Sequence, residues 1–103
     1  MKYNSGLFDS DIESIVSVLK KYPTVESAFI FGSRAKGNFK NGSDIDIALK
    51  GAQIDFDTLK KISYWLNEET TMPYKFDILI YQNIKEPALK EHIDRVGIEL
   101  YSS

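Results

Sequence analysis

The stretch "FIFGSRAKGNFKNGSDIDIAL", residues 29 to 49, carries a greasy run, a Gly-Ser step, a basic loop and an alternating Asp-Ile-Asp-Ile. Alternation decides how its last part folds. In a strand, residues two apart share a face, so Asp44, Asp46 and Ala48 point one way while Ile45, Ile47 and Leu49 point the other. One face is then core and the other acidic. Along such a strand the two carboxylates lie roughly 6–7 Å apart. At an effective dielectric of about 20 their repulsion is on the order of 2–3 kcal/mol, which folding does not favour unless water or a cation screens it. Two readings fit these letters. Asp44 and Asp46 are either solvent-facing residues of an edge strand or ligands for a metal ion.

The elements around this stretch follow from periodicity. From Ser10 the apolar residues Ile12, Ile15, Val16 and Leu19 recur at helical spacing, and Ser10 with Glu13 has the form of a capping box. Lys20 and Lys21 suit the C-terminus of that helix, and Pro23 ends it. "SAFIF" (27 to 31) reads as a buried strand that stops at Gly32, with a short helical turn at Arg34 to Lys36. "GNFKNG" is loop by its Gly and Asn content, and "SDIDIALK" is the second strand. Residues 55 to 69 make the second main helix, with Phe56, Leu59, Ile62 and Leu66 inward. "TTMPY" breaks it, and "KFDILIY" (75 to 81) is the third strand. Pro87 opens a last helix through Arg95, Gly97 lies near its end, and "IELY" is a fourth short strand. The recurring helix-strand order predicts an α/β (α+β) class, one domain over residues 1–103 with helices packed on a small sheet.

Composition narrows the function. At 103 residues, 43% hydrophobic and 13% aromatic, the chain can build one core. A net charge of −2 with acids and bases interspersed recommends neither nucleic acid nor an anionic membrane as partner, so anion binding must be local. No cysteine is present, which removes disulfides, zinc-thiolate sites and thiol catalysis. The beginning "MKYNSGLFDSD" lacks the apolar run of a signal peptide, and no stretch approaches the roughly 20 apolar residues of a membrane span. A cytoplasmic location is the expectation.

Gly32-Ser33 follows a buried strand and precedes a helical turn, an arrangement whose backbone N–H groups suit an anion, while Arg34, Lys36 and Lys40 add positive charge. A phosphate pocket beside metal-binding carboxylates is what chemistry on a nucleoside triphosphate needs. Competing motifs fail. Gly32 and Gly37 are followed by Asn38 and Phe39 rather than the Lys and Ser or Thr of a P-loop, and no G-x-G-x-x-G occurs. An EF-hand starting at Asp44 would have Ala48 and Leu49 where an oxygen ligand and a glycine belong. A third acid is wanted for a two-metal centre, and Asp77 is the one charged residue inside an otherwise apolar strand. Its bland alternative is a solvent-facing edge position, against which Leu79 and Tyr81 on the same side suggest partial cover. If the third strand lies beside the second, Asp77 joins Asp44 and Asp46.

Gly32-Ser33, a spacer, Asp44-x-Asp46 and the later Asp77 together resemble the nucleotidyltransferases of the DNA polymerase beta superfamily, and most closely the minimal nucleotidyltransferases paired with HEPN-domain proteins. The likeness spans about residues 10 to 101. It implies a two-layer fold with a small mixed sheet. It also implies that Asp44 and Asp46 hold Mg²⁺ against the triphosphate of ATP, and that Asp77 holds a second Mg²⁺ and helps activate the incoming hydroxyl. Gly32 and Ser33 would grip the phosphates through backbone N–H and the Ser hydroxyl, with Arg34 as a charge contact. The implied role is transfer of AMP to a hydroxyl of a HEPN-domain protein, the antitoxin half of a toxin–antitoxin pair. A site of this size is expected to borrow a wall from that partner or from a second copy in a homo-oligomer. Two rivals stand beside it: a non-catalytic module that neutralises its partner by contact, and a transferase acting on a small molecule.

Other conspicuous residues read as structural. His92, alone on a helix, suits a surface or capping role; Tyr64 and Trp65 adjoin and cannot both face inward, so one is expected to be exposed; Tyr74 suits packing over the core.

Overall fold

The computed structural model describes residues 6–37 and 43–103. Helix α1 runs over Asp9–Leu19, strand β1 over Ser27–Phe31, helix α2 over Gly32–Lys36 and strand β2 over Ile45–Lys50. Helix α3, Phe56–Tyr64, continues as a π-helical turn over Trp65–Glu69; strand β3, Phe76–Ile80, is followed by a 3₁₀ turn at Tyr81–Asn83. Helix α4, Pro87–Val96, and strand β4, Ile98–Ser102, complete the order. Most of the loop expected over "GNFKNG", and Lys40 with it, lies outside the described residues.

The sheet is mixed, in the order β3-β2-β1-β4. β1 pairs antiparallel with β2 and β4, while β2 and β3 run parallel, joined by the crossover through α3. Alternation sorts the side chains as expected. Ala28, Ile30, Ile45, Ile47 and Leu49 pack with Ile15 and Leu19 of α1 and with Ile62 and Leu66 from the α3 segment. The opposite face is not simply acidic. Ala48 is buried there with Phe31 and Ile93 of α4, so α4 covers that face at one end and leaves the aspartates at the other.

Three local expectations change. Helix α1 starts earlier than Ser10: Phe8 is the N-cap, and its N–H donates to Asp11 Oδ2 at 3.1 Å. A phenyl ring cannot accept in return, so only half of a capping box forms, on Asp11 instead of Glu13. Phe56 is 67% exposed. Side chains tilt toward a helix's N-terminus, so the first residue of α3 overhangs its end, where Lys60 Nζ sits 5.3 Å from the ring. The helix over 55 to 69 is not uniform either. Within its π turn, Asn67 accepts the Phe76 N–H at 2.7 Å and donates to the Phe76 carbonyl at 3.1 Å, tying down the start of the edge strand β3. Both Tyr64 and Trp65 are exposed, at 56% and 37%, with Lys21 Nζ 5.0 Å from the Trp65 ring centre.

Burial of Ile47 is complete, and Ile47→Ala should lower the unfolding free energy by about 2–5 kcal/mol in urea titrations. The exposed Phe56→Ser should stay within about 0.5 kcal/mol of wild type.

Candidate active site

β2 lies inside the sheet, which removes the edge-strand reading of Asp44 and Asp46. Asp46 stands in register with Phe31 of β1 on one side and with Asp77 of β3 on the other. Adjacent strands are about 4.8 Å apart, so the parallel pairing sets two carboxylates side by side. β3 is an edge strand and Asp77 is exposed; Leu79 and Tyr81 pack toward Ile93, and Asp77 lies beyond that cover. Asp44 is exposed and Asp46 half-buried. Burial first, then the charges of Asp77 and of Asp44, push the Asp46 carboxyl above its ordinary range.

Gly32 closes over this group. Its φ is +74°, and a Cβ built there would stand 2.3 Å from Asp46 Oδ2. The left-handed backbone favours glycine, and a side chain here would have to push the tip of Asp46 aside. The Gly32 N–H is already engaged, donating to His92 Nε2 at 3.2 Å, with the imidazole edge-on to the Phe31 ring. The Gly32 N–H thus already has a protein acceptor where a phosphate contact was expected, and Ser33 is half-buried at the start of α2. Of the surface or capping role expected for His92, the structure shows the second, since its Nε2 accepts from the first residue of α2. Its place one residue before Ile93 and three after Leu89, on the covered stripe of α4, was the signal available.

Arg34, expected as a charge contact, is buried. It is 2% exposed, and both its Nε and one terminal nitrogen donate to the Ser43 carbonyl, at 3.1 and 2.9 Å. Its guanidinium lies 5.0 Å from the Tyr74 ring centre. Tyr74 packs over the core as expected and donates its hydroxyl to Asp11 Oδ2 at 3.2 Å. Burial, then the Asp11 charge and hydrogen bond, raises the Tyr74 hydroxyl above its usual value.

The donor set suits a hard cation, since carboxylate oxygens are the ligands Mg²⁺ takes and their mutual repulsion falls when one binds. As the side chains stand, no group of three or more His, Asp or Glu among the described residues converges on one metal position. A bound ion would have to draw Asp44 and Asp77 toward Asp46. Among the described residues no helix is long and apolar enough to cross a membrane.

The profile of the family described as polymerase beta, nucleotidyltransferase, matches residues 13–103. The chain belongs to this family. No curated protein matches this nucleotidyltransferase in sequence. Solved structures share its fold. A chain of a toxin–antitoxin complex solved with AMP-PNP superposes with a TM-score of 0.73 at 21% identity, over 89% of this chain and 73% of that one. The MntA–HepT toxin–antitoxin gives 0.70 at 18%, over 93% and 74%. A complex of the tri-AMPylated Shewanella oneidensis HEPN toxin with MNT antitoxin gives 0.68 at 19%, over 91% and 71%. The four-stranded mixed sheet with helices packed on it is thus the nucleotidyltransferase fold.

Two substitutions test this geometry. Gly32→Ala should destabilise by about 1–2 kcal/mol, the cost of left-handed backbone for an L side chain, with the Asp46 carboxylate turning aside from the new methyl; urea titration reads this. For Asp46 the folded pKa is raised, so the folded state holds the proton more tightly and stability falls as pH rises above the ordinary value of 3.8. Asp46→Asn should therefore raise the melting temperature at pH 7 and leave it unchanged near pH 3.

Proposed function

We propose that the chain is a minimal nucleotidyltransferase which, with Mg²⁺, moves AMP from ATP to a hydroxyl of a HEPN-domain partner protein, as the antitoxin of that pair. The observation that carries the reading is the Asp46–Asp77 pairing, with Asp44 two residues before Asp46 and Gly32 packed on the Asp46 carboxylate. Folding alone gives no reason to place like charges side by side in a half-buried setting. The structural neighbours add weight, since one was solved with an ATP analogue and another with an AMPylated HEPN toxin.

Asp44 and Asp46 would hold one ion, and Asp77 would hold a second. When bound, Mg²⁺ neutralises phosphate charge and lowers the pKa of the attacking hydroxyl. Ser33 would hold a phosphate oxygen through its hydroxyl and backbone N–H. The acceptor oxygen attacks the α-phosphorus in line, the bond to the β-phosphate oxygen breaks, pyrophosphate leaves, and the acceptor's proton passes to Asp77. Exposure of Asp77 on the edge strand leaves that side of the site open to a large acceptor. A protein hydroxyl fits this openness better than a small molecule, for which the described residues offer no enclosing wall. The wall would come from the partner or from a second copy of the chain.

The rival in which the chain neutralises its partner by binding alone has one observation in its favour, the engagement of the Gly32 N–H by His92. Incubation with labelled ATP, Mg²⁺ and a HEPN-domain protein that binds the chain decides between them by mass spectrometry. The expected result is an AMP adduct on the partner that disappears in Asp44→Asn and in Asp77→Asn. Absence of an adduct with wild type, while tight association with the partner persists, sinks the transferase reading.

A further inference from the structure

Arg34 is the one charged side chain among the described residues that is buried, and the reaction outlined above gives it no part. Among the described residues it holds backbone. Its fork converges on the Ser43 carbonyl through Nε and a terminal nitrogen, at 3.1 and 2.9 Å, and Ser43 directly precedes Asp44. On the other side of Asp44, the Ile45 N–H donates to the Lys75 carbonyl at 2.9 Å. The aspartate's backbone is therefore gripped at both neighbours. These two grips share a support. Lys75 follows Tyr74, whose ring faces the Arg34 guanidinium at 5.0 Å and whose hydroxyl is bound to Asp11 at the start of α1.

Asp44 needs such a grip more than Asp46 does. Asp46 sits inside β2 with strands on both sides, whereas Asp44 precedes the strand and is exposed. A carboxylate that must meet an ion to within a few tenths of an ångström is only as well placed as the backbone that carries it. We propose that Arg34 is a positioning residue: braced over the Tyr74 ring, it holds the Ser43 carbonyl and so fixes the backbone from which Asp44 reaches the divalent cation. This rests on the metal-dependent reading of the site. Arginine suits the task, because its planar fork makes two bonds while its face stacks on an aromatic ring; lysine offers a single point charge.

The test uses the full chain and the variants Arg34→Met and Arg34→Lys. Backbone ¹⁵N relaxation is measured without metal, Mn²⁺ binding is followed by electron paramagnetic resonance, and AMP-PNP binding is measured in EDTA. In Arg34→Met the order parameters of the Ser43 and Asp44 amides should fall from about 0.85 to below about 0.6, while those of Ile47 to Leu49 hold. Mn²⁺ should bind about tenfold more weakly, and AMP-PNP binding in EDTA should stay within about twofold; Arg34→Lys should lie between, and supplies the same readouts should Arg34→Met not fold.

Rigid Ser43 and Asp44 amides with unchanged Mn²⁺ affinity in a folded variant overturn the proposal and leave Arg34 as core filling. A loss of AMP-PNP binding in EDTA as large as the loss of Mn²⁺ binding also overturns it, in favour of direct phosphate contact. If the wild type binds no Mn²⁺, the metal-dependent reading and the ligand half of this inference fall together. The amide dynamics then still decide, separately, whether Arg34 holds the Asp44 backbone.

Discussion

Two aspartates side by side on parallel strands set the terms for the rest of this molecule. Asp46 and Asp77 face each other across β2 and β3, with Asp44 adding a third charge, and the Asp46 carboxyl is raised by burial and by both neighbours. Like charges in register cost a sheet stability. The hydrophobic side has to carry that cost, and it does so with strands whose inward residues, Ile45, Ile47 and Leu49, are completely buried against α1 and the α3 segment. Separation of the two faces by simple alternation is what allows one short strand to serve the core and the acidic cluster together.

The sheet's second face divides the same way along its length. At one end α4 lays Ile93 on Ala48 and Phe31; at the other the carboxylates are open. His92 marks the boundary, touching the Phe31 ring and accepting from the Gly32 N–H. Gly32 turns the chain out of β1 at a positive φ and lies directly against the Asp46 carboxylate. Strand, turn and helix thus meet within one residue's reach of the acid. Arg34, from the short helix that follows, returns to hold Ser43 just before Asp44.

Much of this was legible beforehand because the strongest local signals agree. "SAFIF" becomes β1 with the bounds read from it, and Pro87 opens the last helix as its fixed φ favours. What misled was local chemistry whose outcome depends on neighbours. Ser10 and Glu13 satisfy a capping pattern, yet Asp11 holds the position that caps. Phe56 fits the apolar stripe, yet at the helix's first residue it finds no sheet beneath it. For the site, the residue types pointed at Asp44, Asp46, Asp77, Gly32 and Ser33, while His92 and the buried bonding of Arg34 did not announce themselves. A lone histidine and a basic loop look the same in a sequence whether they face water or backbone.

By itself the sequence determined the class of fold, the elements, and which face of β2 carries its carboxylates, since these follow from periodicity, turn residues and the steric limits of proline. Tertiary structure alone decided that β3 lies parallel beside β2, so that Asp77, some thirty residues on, stands against Asp46. It also decided that the Gly32 amide goes to His92 and the Arg34 guanidinium to the Ser43 carbonyl. The physical reason is the same in each case: periodicity is set by bonds along the chain, whereas the partner of a charge or an amide is set by which distant segment packs against it.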